Sequence, residues 1–428
     1  VTAQEQPLKG AWGITALLFL FMLINFADKI VVGLIGMKGL GLTPEQFGLL
    51  GSSFFFLFAI SAIVVGFITN RVQAKHTLLV MALIWSLVQF PMLFTASFGV
   101  MLASRIILGA GEGPAAPVAT HAVYKWFPDS RRGLPTAILA QGSAIGVIAA
   151  VPILTAIIER FSWHWAFGAL GIAGLLWAVA WMIFGREGTL VDPPVSRAQG
   201  GADRVPYLYL LTCPSIVAVC CAGFAAYWGL ALGLTWFPSY LISGLGLGDT
   251  LGRNLTVLPW IFGSVVVLTG GYISQHLKSK GVSSRACRGT LAAVTMMVGG
   301  CVLPLVGSMP STTIKIALLV FGSAIGSTIY VVIPMIVSEL TPQSQRAGML
   351  AIVNSVITFA GVLAPIVMGA MVQNAATPMA GFEQGYVVFG ALLLAGGVVG
   401  LLFIRPEVDR KRLAARAAPA LPPTPARA

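Results

Sequence analysis

Four ionisable side chains sit inside apolar runs, where a charge is expensive: Asp28 and Lys29 in a first stretch, Arg105 and Glu112 in a fourth. An unpaired charge at membrane depth costs from about 3 to more than 10 kcal/mol, so such groups are kept where they are paired, wet or used. Arg105 and Glu112 are seven positions apart; at about 100° per residue they lie within roughly 20° of one helix face, two turns apart. Gly109 and Gly113 offer close backbone approach beside them. Two cations against two anions make a neutral quartet that could simply pin the first helix to the fourth. The same groups can also bind an anion and exchange protons. A guanidinium grips a carboxylate bidentately, whereas the Lys29 ammonium is a point charge on a flexible stem. An anion docking on Arg105 and Lys29 competes with Asp28 and Glu112 for the same cations, and a proton on either carboxylate relieves that competition. Anion and proton then bind cooperatively, and by linkage the coupling is reciprocal.

Such a quartet needs helices that hold it away from water. The chain has 428 residues, 57% hydrophobic and 9% charged, far from the roughly 25% charged residues usual for a soluble domain. Most of its surface must therefore face lipid. Twelve apolar stretches are predicted at 12–36, 46–69, 77–96, 98–122, 133–158, 163–184, 208–243, 252–275, 286–308, 313–338, 346–373 and 381–404. They are continuous rather than alternating with period two, so they read as helices, which satisfy their own backbone hydrogen bonds in lipid. The predicted fold class is an all-α polytopic membrane protein of twelve transmembrane helices.

The net charge of +12 would suggest nucleic acid in a soluble protein, but its distribution is a topology signal. With both termini on one side, that side holds twenty Lys and Arg residues, and the other holds four: Lys38, Arg160, Arg253 and Lys315. This predicts cytoplasmic termini and no nucleic-acid partner. The polar segment from Arg186 to Pro206, with Pro193-Pro194 and Gly200-Gly201, splits the spans six and six. Four parts follow: an N-terminal bundle at 1–184, a linker at 185–207, a C-terminal bundle at 208–404, and a basic Pro/Ala-rich tail at 405–428, expected to be disordered. Repeats support two related halves. The run Gly66 to Lys75 matches Gly271 to Lys280 in residue character, and Gln141 precedes Pro152 as Asn354 precedes Pro365, by eleven positions each. Parallel repeats of this kind occur in transporters that rock around a central site. The five cysteines show no Cys-x-x-Cys spacing and the histidines no metal constellation, so neither a metal nor a cofactor is expected, protons serving as the coupling ion.

The runs Asn25-Phe26-Ala27-Asp28-Lys29, Arg105-x-x-x-Gly109-x-Gly111-Glu112-Gly113-Pro114-x-x-Pro117 and Trp126-Phe127-Pro128 with Arg131 and Arg132 resemble the anion:cation symporter family of the major facilitator superfamily, over nearly the whole chain. The resemblance implies two pseudo-symmetric six-helix halves, proton coupling at Asp28 and Glu112, and attraction of a substrate carboxylate by Lys29 and Arg105. It also implies a bacterial inner-membrane carrier, read here as a monomer.

Departures from the family pattern are informative. The loop after the second helix usually carries Gly-x-x-x-Asp-Arg; here it reads Gly66 to Asn70-Arg71, and Gln275 stands at the counterpart in the second half. Amides at both acidic positions put a charged cytoplasmic latch in doubt, although Asn70 and Gln275 can still bond helix ends as gating-loop residues. Phe26, Phe58 and Ala62 stand where sugar-acid carriers place polar groups, and Val331-Val332-Ile333-Pro334 is apolar where they offer hydroxyls. An unpaired polar group in a buried site costs about 1–3 kcal/mol, so a relatively apolar or aromatic monocarboxylate is expected. Further substrate-binding candidates are Asn25, Gln141, Ser143, Phe58, Tyr227, Trp228, Tyr330, Asn354 and Ser355, of which Gln141 and Asn354 occupy matching positions in the two halves. The expected activity is proton-coupled symport of a small organic anion by alternating access. Organic-anion exchange or proton-driven efflux is the alternative within transport. A non-transporting sensor or a membrane enzyme is the alternative outside it. The enzyme reading suffers because Gly142-Ser143-Ala144-Ile145-Gly146 lacks the Gly-x-Ser-x-Gly spacing of a nucleophile elbow.

Overall fold

In a computed structural model of the chain, residues 6–69, 72–128, 131–190, 205–342 and 345–417 are described. The protein is an all-helical polytopic membrane protein. Among the described residues, eleven helices are long and apolar enough to cross a membrane: Ala11–Leu40, Pro44–Gly66, Ala74–Leu93, Gly133–Arg160, Trp163–Phe184, Pro214–Thr235, Asp249–Ser279, Arg285–Ser308, Thr312–Leu340, Gly348–Asn374 and Pro378–Phe403. The fourth apolar stretch, expected as one helix over 98–122, is instead two, Phe98–Glu112 and Ala115–Tyr124. Pro114 and Pro117 have no N–H to give to the preceding turn, so two bonds of the ladder are lost together. The break falls immediately after Glu112. Counting this pair as the fourth, the spans are numbered one to twelve in chain order.

Spans one to six pack together and seven to twelve pack together, with span one against five and six, two against four, and seven against eleven and twelve. Aromatic rings fill the interior of each half. Phe21 lies 4.5 Å from Trp85 and 4.7 Å from Trp177 between ring centroids. In the second half Tyr240 meets Phe382 at 5.6 Å and Tyr386 at 5.1 Å. The halves also meet each other, at the ends of the spans remote from the termini, here termed the far face. There a Cβ on Gly33 of span one would sit 2.1 Å from the carbonyl oxygen of Leu234 in span seven, so only glycine permits that approach. Spans two and eleven close in the same way, with Gly48 against the Pro365 carbonyl.

The expectation of a disordered tail needs correction. The tail is helical over Pro406–Ala417, since Pro406 opens the helix and Glu407 and Asp409 place acid in its first turn, where the helix dipole favours it. Asp409 accepts from the Ser215 N–H at 3.0 Å and hydroxyl at 2.6 Å, fastening this helix to the start of span seven. Residues 418–428, most of the linker (191–204), and Asn70 and Arg71 lie outside the described residues. Lys315, counted from sequence among the cations of the far face, is buried and pairs with Glu383 of span twelve at 2.6 Å. A lysine stem long enough to reach a carboxylate on a neighbouring helix need not stay in solvent.

Candidate functional site

The site is assembled by spans one to four. Span one contributes Asn25, Phe26, Asp28 and Lys29, span two Phe54 and Phe58, span three Gln89, and span four Arg105 and Glu112. Asp28 and Glu112 are 0% and 1% exposed, and Lys29 and Arg105 are each 6% exposed. The glycines of span four explain the convergence. A Cβ on Gly109 would lie 1.7 Å from the Phe54 carbonyl oxygen, and one on Gly113 would lie 2.0 Å from that of Phe58. Spans two and four therefore touch backbone to backbone, which sets the phenylalanine rings beside the charges of span four.

The pairing is unequal. Lys29 Nζ lies 3.0 Å from Glu112 Oε2 and also donates to the Asn25 carbonyl at 3.3 Å and to Asn25 Oδ1. Its ammonium sits over the Phe26 ring, 4.2 Å from the centroid, with Phe54 and Phe58 at 5.6 and 5.7 Å. Arg105 makes no ion pair among the described residues. Its Nη1 donates to the backbone carbonyl of Asp28 at 3.2 Å, its Cζ lies 4.9 Å from the Phe54 centroid, and its Nε is buried without a partner. The Asp28 carboxylate is held by Gln89 Nε2 at 2.9 Å on one oxygen, and the other oxygen has no donor. Both oxygens of Glu112 lack an aligned hydrogen bond, so its contact with Lys29 is one of charge. Buried charges with unused bonding capacity are costly. Here they sit among aromatic faces that give cations partial compensation, each contact worth about 0.5–2 kcal/mol.

Of the residues singled out from sequence, Asn25, Asp28, Lys29, Arg105, Glu112 and Phe58 come together here. In the second half, the Tyr227 ring centroid is 5.8 Å from Phe55 of span two, and the buried Tyr330 hydroxyl has no partner among the described residues. Trp228 is buried beside Phe224 of its own helix, with ring centroids 6.1 Å apart. Ser143 donates to the Ala140 carbonyl at 2.7 Å and Ser355 to that of Ala351 at 2.9 Å, so both hydroxyls are engaged within their own helices. Gln141 is half-buried and Asn354 exposed; Gly66 ends span two, and Gln275 is exposed. Gln89 and Phe54 were missed. An amide within the apolar third stretch was the available signal for the first; nothing separates Phe54 from Phe55 and Phe56 in sequence.

At the face of the termini, acid comes from unexpected positions. Glu187, just after span six, accepts from the N–H groups of Ala74 and Lys75 at 3.2 and 2.9 Å and pairs with Lys125. Burial pushes its carboxyl up, but the bonds from Lys125 and from the Lys75 and Ala74 N–H groups, with the Lys125 charge, outweigh this and hold it below the usual range. In the second half Glu339 pairs with Arg288 at 2.6 Å and accepts from Ser284 at 2.7 Å.

A profile described as Major Facilitator Superfamily matches residues 17–332 and, in a second match, 288–427. The chain belongs to this superfamily. It is thus a membrane transporter by family and not an enzyme. Its relatives include the hexuronate transporter of Bacillus subtilis, 28% identical over 92% of this chain and 95% of the relative. The D-galactonate transporter of Escherichia coli is 24% identical over 91% and 94%, and a probable sulfoacetate transporter of Cupriavidus necator is 24% identical over 94% and 95%. Among solved structures, a bacterial homologue of the lysosomal transporter Spinster, in an inward-facing unoccupied conformation, superposes with a TM-score of 0.78 at 16% identity, covering 95% of this chain and 99% of that one. A D-xylose-proton symporter gives 0.75 at 16%, covering 93% and 99%. At these identities the structures speak to the fold alone.

Proposed function

We propose that this transporter carries a small organic anion, a relatively apolar or aromatic monocarboxylate, together with protons by alternating access around the Lys29–Arg105 site. The reading rests above all on one observation: Arg105 is buried with no ion pair among the described residues, while the neighbouring Lys29 is occupied by Glu112. A guanidinium so placed is a ready donor to an incoming carboxylate. A proton on Glu112 abolishes its charge and releases Lys29 as a second cationic contact. The substrate carboxylate and that proton therefore enter together. Asp28, whose second oxygen is free, offers a further proton site, and its backbone carbonyl is already engaged by Arg105. Relatives named for hexuronate, galactonate and sulfoacetate support an organic acid as cargo. The rings of Phe26, Phe54 and Phe58 around the ammonium favour an apolar body over a polyol, whose hydroxyls would lose water without gaining partners. The skew of basic residues favours cytoplasmic termini in a bacterial inner membrane.

The test begins with a thermal-shift screen of aromatic, aliphatic and sugar acids on the purified protein. The best stabilising acid is then offered to proteoliposomes under an inward proton gradient. Accumulation that collapses when the gradient is dissipated is expected. Stabilisation by sugar acids alone would overturn the substrate class, and accumulation indifferent to the gradient would overturn symport in favour of exchange.

A further inference from the structure

A carrier of this type must close its site from each face in turn. The hydrogen bonds and ion pair between the two halves, among the described residues, gather around Arg253 and Glu159 at the far face. Arg253, near the start of span eight, was counted from sequence only as one of the few cations on that side, yet it is 7% exposed. Its Nε donates to the backbone carbonyl of Leu34 in span one at 2.9 Å. Its Nη1 lies 3.5 Å from Glu159 Oε1 at the end of span five. Its Nη2 donates to Asp249 of its own helix at 3.2 Å. Thr250 also donates to Glu159 Oε1, so two residues of the second half converge on one carboxylate of the first.

The Leu34 contact has a structural origin. Span one departs from helical geometry at Gly36, where φ is 73° and ψ 168°. A break of this kind leaves carbonyls of the preceding turn without their usual donors. A buried carbonyl without a donor is costly, and here the donor comes from the opposite half. The same kink lies against Ser239, just after span seven, where a Cβ on Gly36 would be 3.3 Å from Ser239 Oγ. Ser239 is itself 3% exposed.

We propose that Arg253 is the latch of the far-face gate: it holds the halves closed by capping the carbonyl at the span-one kink and by pairing with Glu159. This deepens the transport reading and rests on it for its purpose, though its test needs no substrate. Separation of the halves at this face breaks the Leu34 and Glu159 contacts and leaves the Asp249 contact intact. Loss of Arg253 thus shifts the resting population toward the state open at the far face.

The experiment uses full-length protein with its five cysteines replaced by alanine and Ser239→Cys as reporter. A membrane-impermeant maleimide is applied in turn to right-side-out and inside-out vesicles. With Arg253 present, labelling is expected to be slow from both sides. Arg253→Ala should speed it at least threefold from the far-face side, and Glu159→Gln should act in the same direction. Arg253→Lys, which keeps the charge but loses the Nε donor, should fall between. Asp249→Asn should leave the rate within a factor of two. Thermal midpoints of each variant separate gate opening from unfolding. Unchanged labelling in a folded Arg253→Ala protein would overturn the proposal, as would equal acceleration by Asp249→Asn. Accelerated labelling without any gradient-driven uptake would leave the latch standing and fault the transport reading instead.

Discussion

Replacing Glu112 with glutamine keeps the shape of the side chain and removes its charge, imitating the protonated state. At an effective dielectric constant of about 20, two unit charges 3.0 Å apart attract by about 5.5 kcal/mol. Desolvation of both groups offsets most of this, but removing one partner of a buried pair still costs about 3–5 kcal/mol because the other is stranded. Lys29 in the variant keeps Asn25 and the Phe26 face, so the loss should sit at the low end. A substrate carboxylate reaching the vacated ammonium recovers a charge-assisted hydrogen bond, about 1.5–3 kcal/mol. Glu112→Gln should therefore bind the acid identified by thermal shift about ten- to a hundredfold tighter at pH 7.5. The slope of log Kd against pH should fall by up to one proton, since one coupled site is gone. Calorimetry between pH 5.5 and 8 measures both. In proteoliposomes, gradient-driven accumulation should fail while counterflow persists. Unchanged affinity and slope would refute the exchange of proton for cation at this residue, and full gradient-driven uptake by both Glu112→Gln and Asp28→Asn would refute the coupling scheme.

Three further outcomes follow from the geometry. Arg105→Ala should abolish carboxylate binding by calorimetry, and Arg105→Lys should weaken it about ten- to a hundredfold, because a point charge replaces a fork. Gly109→Ala forces a methyl into the Phe54 carbonyl; overpacking of this kind costs about 1–3 kcal/mol or more, so the thermal midpoint in detergent should drop, whereas Gly99→Ala, with nothing closer than 4.0 Å, should leave it unchanged. Glu187→Gln removes an acidic cap at the start of span three, worth about 0.5–2 kcal/mol. The folded carboxyl lies below its ordinary value, so this stabilisation is complete above the unfolded value of about 4.3 and is lost as pH falls through the folded one. The difference in midpoint between wild type and Glu187→Gln should be full at pH 7 and shrink from pH 5 to 3.

The members of the charged cluster were readable one at a time. Asp28, Lys29, Arg105 and Glu112 stand out because a charge within an apolar run has few innocent explanations, and the seven-residue spacing puts two of them on one face of a helix. Their partners were not readable in this way. The neutral-quartet picture matched each anion with a cation, yet Asp28 is held by the amide of Gln89, and Arg105 turns to a backbone carbonyl. Arg253 and Lys315 entered the sequence reading only as cations of the far side, and both are buried against acids from other spans. Glu187 falls within the predicted linker, yet it caps a helix more than one hundred positions earlier.

Sequence alone determined that the chain is helical and membrane-spanning, and it singled out Asp28, Lys29, Arg105 and Glu112 as charges within apolar runs. Lipid offers the backbone no partners, so each spanning segment must satisfy itself and announces itself by local composition. Tertiary structure decided where the fourth span breaks, which atom each buried charge meets, and that the halves are joined at the far face by Arg253. Those contacts depend on the rotation, tilt and spacing of helices remote in sequence. These are set by backbone approaches such as Gly109 on Phe54 and Gly33 on Leu234, whose partners no periodicity along a single helix can name.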